Sequence, residues 1–185
     1  MRVSELDSDD LVFAARHGRL DALKALLATG ADVNVRNAIL GDTALLAASS
    51  NKHIEVIREL LAHGADVDAK DKAGLTSLMR AAAAGYVGVI EVLLQAGADV
   101  NARSDGGDTA LMYAVMSGSA DAVGVLLAAG ADAHAKNNSG RTSLDILKAG
   151  RPFSVGQGCW EIITARRGTY NSRIALLLKQ AGAEQ

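Results

Sequence analysis

Few side chains in this 185-residue sequence have the chemistry and the spacing that catalysis requires. Cys159, the only cysteine, would need a base beside it to act as a nucleophile. The glycine-rich stretch GRPFSVGQG, residues 150–158, lacks the Lys-Ser/Thr pair of a phosphate-binding loop. The histidines are scattered, without the spacing of metal ligands, at His17, His53, His63 and His134. We therefore predict that the protein is not an enzyme, that Cys159 is an unreactive thiol, and that no metal or other cofactor is bound.

The overall composition favours a cytoplasmic protein. A single cysteine excludes an intramolecular disulfide, and the N-terminal MRVSELDSDD lacks the apolar region of a signal peptide. No stretch approaches the roughly 18 apolar residues of a membrane span. The net charge is −2, but residues 1–147 carry 13 Lys and Arg against 19 Asp and Glu, whereas residues 148–185 carry 6 against 2. We expect a monomer without membrane contact, whose basic charge is concentrated at its C-terminal end.

Two motifs recur in phase along the chain and indicate a stack of similar units. The first is a Gly-Ala-Asp tripeptide, which begins at Gly30, Gly64, Gly97 and Gly130. The second contains a threonine that recurs every 33 residues, at Thr43, Thr76, Thr109 and Thr142. Thr is a good helix N-cap, and the segment after Thr76, SLMRAAAAG, is predicted to be a short Ala-rich helix. A glycine ends each of the two apolar segments of the unit at residues 77–97, as the left-handed residue after a helix does. Each unit is therefore predicted to be helix, turn, helix and a polar finger, and stacking buries its apolar face.

These motifs make the sequence resemble the ankyrin-repeat family. The family pattern D-x-x-G-x-T-P-L-H-x-A-A-x-x-G, followed by paired leucines and G-A-D, is matched here by DKAGLTSLMRAAAAG and then VLLQAGADVNARS. The chain departs from it in two places: the Pro after Thr is Ala or Ser, and the following His is Leu46, Met79, Met112 or Asp145. The resemblance implies one all-α domain over residues 1–185, a solenoid of helix-turn-helix units joined by β-hairpin-like fingers. Its repeats are expected at about 6–36, 37–70, 71–103, 104–136 and 137–185.

The last repeat is predicted to contain an insertion. Gly85 and Gly97 are 12 residues apart, whereas the equivalent Arg151 and Gly182 are 31 apart, and 31 − 12 leaves a surplus of 19. The surplus matches residues 152–170, which hold the only Pro, Cys and Trp of the chain.

Two interpretations of this insertion are open. We favour a cap, because the last unit of a stack has no following neighbour to cover it. The alternative is a docking loop, because an exposed Trp160 close to Arg166 and Arg167 has the composition of a binding hot spot.

The resemblance also implies where a partner binds. In ankyrin-repeat proteins the fingers and the exposed side of the first helices form a concave surface that holds partner proteins. By the register of the repeat, this surface is expected to present Ile39, Leu40, Ser50, Asn51, Lys72, Leu75, Arg80, Asp105, Asp108, Tyr113, Met116 and Arg141. Tyr113 and Met116 can pack on an apolar side chain of the partner, and Arg80 can pair with a carboxylate of the partner. Packing between repeats, for Tyr113 and Met116, and plain exposure to solvent, for the polar residues, are the alternatives. We predict a scaffold or inhibitor that binds one partner protein through this surface.

Binding of nucleic acid or phosphate is a weaker alternative. Arg36, Lys70, Arg103 and Lys136 lie at the same position of successive units and could follow a phosphate backbone. Because acids lie within four residues of each, we interpret this row as a solvated surface of mixed charge. The basic C-terminal end, with Arg166, Arg167 and Arg173, is a better candidate, but three arginines support only weak and salt-sensitive contact.

Overall fold

The architecture is a row of paired helices. The computed structural model describes residues 3–149 and 172–183, with side chains from residue 10 onward. The helices in this part are α1 Val3–Arg16, α2 Leu20–Ala28, α3 Ala44–Ser50, α4 Ile54–Ala62, α5 Ser77–Ala84, α6 Val87–Gln95, α7 Ala110–Ser117, α8 Ala120–Ala128, α9 Ser143–Ala149 and α10 172–180. The odd-numbered helices α1 to α9 pack side by side in one layer, and the even-numbered helices α2 to α8 form a second layer. The expected all-α solenoid is confirmed. None of the described helices is both long and apolar enough to cross a membrane.

The helix caps form where the repeated threonines predict them. The side chains of Thr43, Thr76 and Thr109 each accept a hydrogen bond from the backbone N–H three residues later. Thr142 forms a reciprocal pair with Asp145: its hydroxyl accepts from the Asp145 N–H, and the Asp145 carboxylate accepts from the Thr142 N–H. We call the odd-numbered helices the inner helices and the even-numbered helices the outer helices. The first turn of the inner helices α3, α5, α7 and α9 is therefore fixed by its own sequence.

Buried serines give a test of how this core tolerates polar groups. Ser77 and Ser143 directly follow a capping threonine, and within the described chain their buried hydroxyls have no hydrogen-bond partner. Ala44 and Ala110 take the same place in two other units. We expect Ser77→Ala to raise the free energy of unfolding by about 1 kcal/mol, because it removes a desolvated hydroxyl.

Ser119→Ala is the matched control. The Ser119 hydroxyl caps α8 by accepting from the Ala122 N–H, so its removal should lower the free energy of unfolding by about 1 kcal/mol. Urea unfolding of the two variants gives the comparison. Equal losses would contradict the assignment of Ser77 as an unsatisfied group.

The polar segments between units form four fingers, each closed by a backbone hydrogen bond between its ends. We call residues 37–42 finger 1, 71–75 finger 2, 104–108 finger 3 and 137–141 finger 4; the closing N···O distances are 2.9–3.0 Å. Neighbouring fingers are joined as well. The Lys72 N–H donates to the Leu40 carbonyl at 3.2 Å, and Asp105 and Asn138 repeat this contact with fingers 2 and 3. The fingers are therefore a connected row with a fixed backbone.

The row of basic residues along the finger bases holds the stack together, and our interpretation of it as merely solvated was incomplete. The Arg36 guanidinium donates to the Lys70 carbonyl, the Lys70 ammonium to the Arg103 carbonyl at 2.9 Å, and the Arg103 guanidinium to the Lys136 carbonyl at 2.6 Å. Each of these three donor residues is exposed, and its side chain reaches one unit ahead to a backbone acceptor. The row therefore offers fewer free donors for phosphate than its sequence suggests.

Candidate functional site

The fingers and the adjoining side of the odd-numbered helices make one continuous surface, which we call the finger–helix surface. Finger 1 carries its most apolar part. Ile39 is 82% exposed and Leu40 is 49% exposed, although both are large aliphatic residues. Lys72 stabilises the backbone of finger 1: its ammonium donates hydrogen bonds to the Ala38 and Ile39 carbonyls at 2.7 and 3.0 Å. Ile39 and Leu40 are therefore exposed to solvent, on a backbone that the hydrogen bonds from Lys72 hold in place.

Between fingers 1 and 2 lies a network of charged groups. The Asp42 carboxylate is fully buried and pairs with Arg16 at 2.9 Å and Arg80 at 2.6 Å. Arg80 also pairs with the Asp71 carboxylate at 2.6 Å and donates to the Ser50 hydroxyl at 3.3 Å. This geometry corrects the predicted role of Arg80. Its guanidinium is mostly buried and satisfies two carboxylates of its own chain, so it is not a free partner for a foreign carboxylate.

The protonation of this network follows from its contacts. Burial by itself raises the pKa of Asp71, but hydrogen bonds from Arg80 and from the Leu75 and Ala73 amides outweigh it, and the pKa lies below its ordinary value. Burial opposes the charge of Arg80, yet Asp71 and Asp42 raise its pKa above the ordinary value. Asp71 and Arg80 are therefore both ionised at neutral pH, and Arg80 connects the inner helix on which it lies to fingers 1 and 2.

Fingers 3 and 4 have a different electrostatic character. Burial raises the pKa of the half-buried Tyr113, a hydrogen bond with the Ser104 side chain opposes this rise, and the charges of Asp108 and Asp71 add to it. The Asp108 carboxylate accepts from the Asn137 amide at 2.7 Å. Asp105 is exposed at the tip of finger 3.

The remaining predicted residues have distinct positions. Leu75 and Met116 are half-buried and pack against the core, so part of each remains accessible. Asn51 and Ser50 donate to the backbone carbonyls of Ala47 and Leu46 near the end of α3. Arg141 is exposed on finger 4. Trp160, Arg166 and Arg167 lie outside the described residues, and so does the choice between a cap and a docking loop.

Sequence reasoning missed Phe13. The residue is 47% exposed, its ring centroid is 4.1 Å from that of His17, and the Arg19 guanidinium is 5.0 Å from the same centroid. Phe13 precedes Gly18 by five residues, as Arg80 precedes Gly85 and Tyr113 precedes Gly118. The spacing to the glycine between the two helices of a unit identifies Phe13. The first unit, however, lacks the threonine that marks the register in the other units.

The histidines lie at helix ends or, for His134, in a turn between units. Three of them bond to a backbone carbonyl: His17 to that of Phe13, His53 to that of Arg16 and His63 to that of Glu59. His134 lies in a turn between units, where its N–H donates to Asp132. These contacts give the histidines structural roles.

Comparison with known families gives a consistent result. A family model described as ankyrin repeats, three copies, matches residues 11–104, and one described as ankyrin repeats, many copies, matches residues 93–147. Together the two matches run over residues 11–147. No curated protein matches the chain.

Proposed function

Since the chain belongs to the ankyrin-repeat family, whose repeats are generally protein–protein interaction modules, we propose that it is a non-catalytic scaffold or inhibitor. In this proposal it binds one partner protein through the finger–helix surface, as a monomer in the cytoplasm. The observation that carries the proposal is the exposure of Ile39 and Leu40 on a supported finger. Apolar side chains at this position do not contribute to the packing of the core, and they can anchor a partner protein.

The backbone of the fingers supports the same role. Each finger is closed by its own hydrogen bond and joined to the next, so partner binding requires little ordering of the chain. A surface that is already ordered loses little conformational entropy on association, and more of its contact energy appears as affinity. Tyr113, Met116 and Leu75 add partly accessible apolar area on the same side.

Two finer alternatives remain predictions. Docking through the insertion would depend on Trp160, Arg166 and Arg167. Binding of phosphate or nucleic acid would depend on the basic C-terminal end, where Arg173 already pairs with Asp121 at 3.0 Å. Neither alternative explains the exposed tip of finger 1.

A matched pair of leucine variants tests the proposal. Leu40 and Leu176 are both about half exposed, but Leu40 lies on finger 1 and Leu176 on α10. With the full chain as bait in a lysate of the native cell, we expect Leu40→Ser to reduce capture of the principal partner about tenfold or more. Leu176→Ser should leave capture unchanged, because it removes a similar exposed side chain elsewhere.

Further arms of the same experiment address the alternatives. Trp160→Ala and the pair Arg166→Gln with Arg167→Gln should retain the partner. Capture that survives Leu40→Ser but is lost in these insertion variants would transfer the function to the insertion. Capture that collapses between low and moderate salt and survives Leu40→Ser would favour phosphate binding.

A further inference from the structure

One position of the repeat is basic in an earlier unit and apolar in the last unit, and this changes the partners of a carboxylate at an equivalent position in the preceding finger. Asp42 and Asp108 occupy the same place in their units, each directly before a capping threonine. Arg80, from the inner helix of the following unit, neutralises Asp42 at 2.6 Å. The residue in the register of Arg80 for Asp108 is Ile146, which is apolar and nearly buried. Asp108 therefore receives a neutral amide, from Asn137, where Asp42 receives two guanidinium groups.

A second carboxylate on the same finger, that of Asp105, also lacks an ion pair within the described part of the chain. Asp105 is exposed, and no ion pair of Asp105 or Asp108 with a Lys or Arg of the described chain is present. Arg141 on finger 4 is exposed, and the guanidinium of Arg103, which lies beside Gly107, donates to the Lys136 carbonyl. The raised pKa of Tyr113, in part an effect of the Asp108 charge, agrees with a negative potential at this place.

The basic groups near fingers 1 and 2 already have partners within the chain, so they do not form a matching site for an anion. Arg16 and Arg80 are paired with Asp42, and Lys72 donates to two carbonyls of finger 1. The finger–helix surface therefore offers an apolar region at finger 1 and an acidic region at finger 3, two units further along the stack.

We propose that the partner presents a basic segment to this surface. An arginine or lysine of the partner pairs with Asp105 and Asp108 beside the Tyr113 ring, and an apolar side chain covers Ile39 and Leu40. Arginine suits the acidic region better, because its planar guanidinium can bind a carboxylate with two hydrogen bonds while stacking on an aromatic ring. This inference rests on the proposed function, because it specifies the chemistry of the partner at the same surface.

Selection of peptides tests the inference without knowledge of the natural partner. The probe is a phage-displayed library of random twelve-residue peptides, selected against the full chain. We expect the enriched peptides to combine at least one arginine or lysine with an aliphatic or aromatic residue. Their affinity, measured by fluorescence anisotropy of labelled synthetic peptides, should fall about tenfold in Asp108→Asn, since a charge-assisted contact covered by the peptide is lost.

The controls separate a specific contact from general charge. Glu91→Gln removes one negative charge from the exposed side of α6 and should change affinity less than about twofold. Arg141→Gln removes a positive charge from the finger next to Asp105 and Asp108, so the affinity for a basic peptide should rise. A loss of affinity in Arg141→Gln would mean that the ligand presents a carboxylate there, and it would overturn the inference.

The outcomes also separate this inference from the proposed function. Peptides without a basic residue, whose binding is lost in Leu40→Ser but retained in Asp108→Asn, would overturn the basic partner and leave the proposed surface intact. Peptides whose binding is insensitive to both substitutions would overturn both. Circular dichroism of each variant confirms that the compared proteins are folded.

Discussion

Gly74→Ala is expected to lower the free energy of unfolding by about 3–4 kcal/mol, a large effect for one methyl group. Gly74 lies in finger 2 with φ +73°, a left-handed conformation that costs a residue with Cβ about 1–2 kcal/mol. A Cβ there would also lie 2.6 Å from the backbone nitrogen of Asp105, so finger 3 would have to move. That movement would break the hydrogen bond from the Asp105 N–H to the Ala73 carbonyl.

Gly140 supplies the control, because the chain repeats the same glycine in finger 4. Its φ is +72°, but no atom lies within 4 Å of its Cβ position. Gly140→Ala should therefore lose only the conformational cost of about 1–2 kcal/mol. Thermal and urea unfolding of the two variants measure the difference. Equal losses at the two positions would contradict the account of the fingers as a closely packed row.

Arg80→Met is expected to lower the free energy of unfolding by about 3 kcal/mol. The substitution keeps much of the aliphatic side chain but leaves Asp71 without a cation and Asp42, which is fully buried, with Arg16 alone. Removal of one partner from a buried ion pair is costly because the other charge remains desolvated. Arg58→Met is the control: it replaces an exposed arginine of α4 and should change stability by less than about 0.5 kcal/mol.

The dependence on pH gives this prediction a second readout. The folded pKa of Asp71 is lowered, so the stability that its charge contributes is complete above the unfolded pKa of about 3.9. It is lost as the pH falls below that value towards the folded pKa. The difference between the wild type and Arg80→Met should therefore narrow below about pH 4. A difference that stays constant down to pH 2, measured by urea unfolding, would show that lost packing and not charge explains the effect.

The parts of this fold that the sequence predicts well are local. A capping threonine and a left-handed glycine act within a few residues, so their spacing is enough to place the ends of α5 at Thr76 and Gly85. Repetition adds to this, because each unit confirms the interpretation of the others. The all-α solenoid follows from these local rules together with the need to bury one face of each unit.

Contacts between units are harder to predict. Arg80 and Tyr113 occupy equivalent positions in their units. Arg80 forms ion pairs with Asp42 and Asp71, whereas Tyr113 forms a hydrogen bond with Ser104. The difference depends on which side chain the finger of the same unit offers, Asp71 or Ser104, and on Asp42 of the preceding unit, which is 38 residues from Arg80 in the sequence. For the same reason the basic row at the finger bases was predicted as a solvated surface, although its long side chains reach carbonyls of the next unit.

The central claim is that the partner contacts the fingers, and photo-crosslinking tests it most directly. A benzophenone amino acid is placed at the position of Ile39 in one protein and of Glu91 in another, since both side chains are exposed. After irradiation in the native cell, the account predicts a crosslink to the principal partner from position 39 and none from position 91. A crosslink from position 91 alone would place the partner on the outer helices and contradict the account.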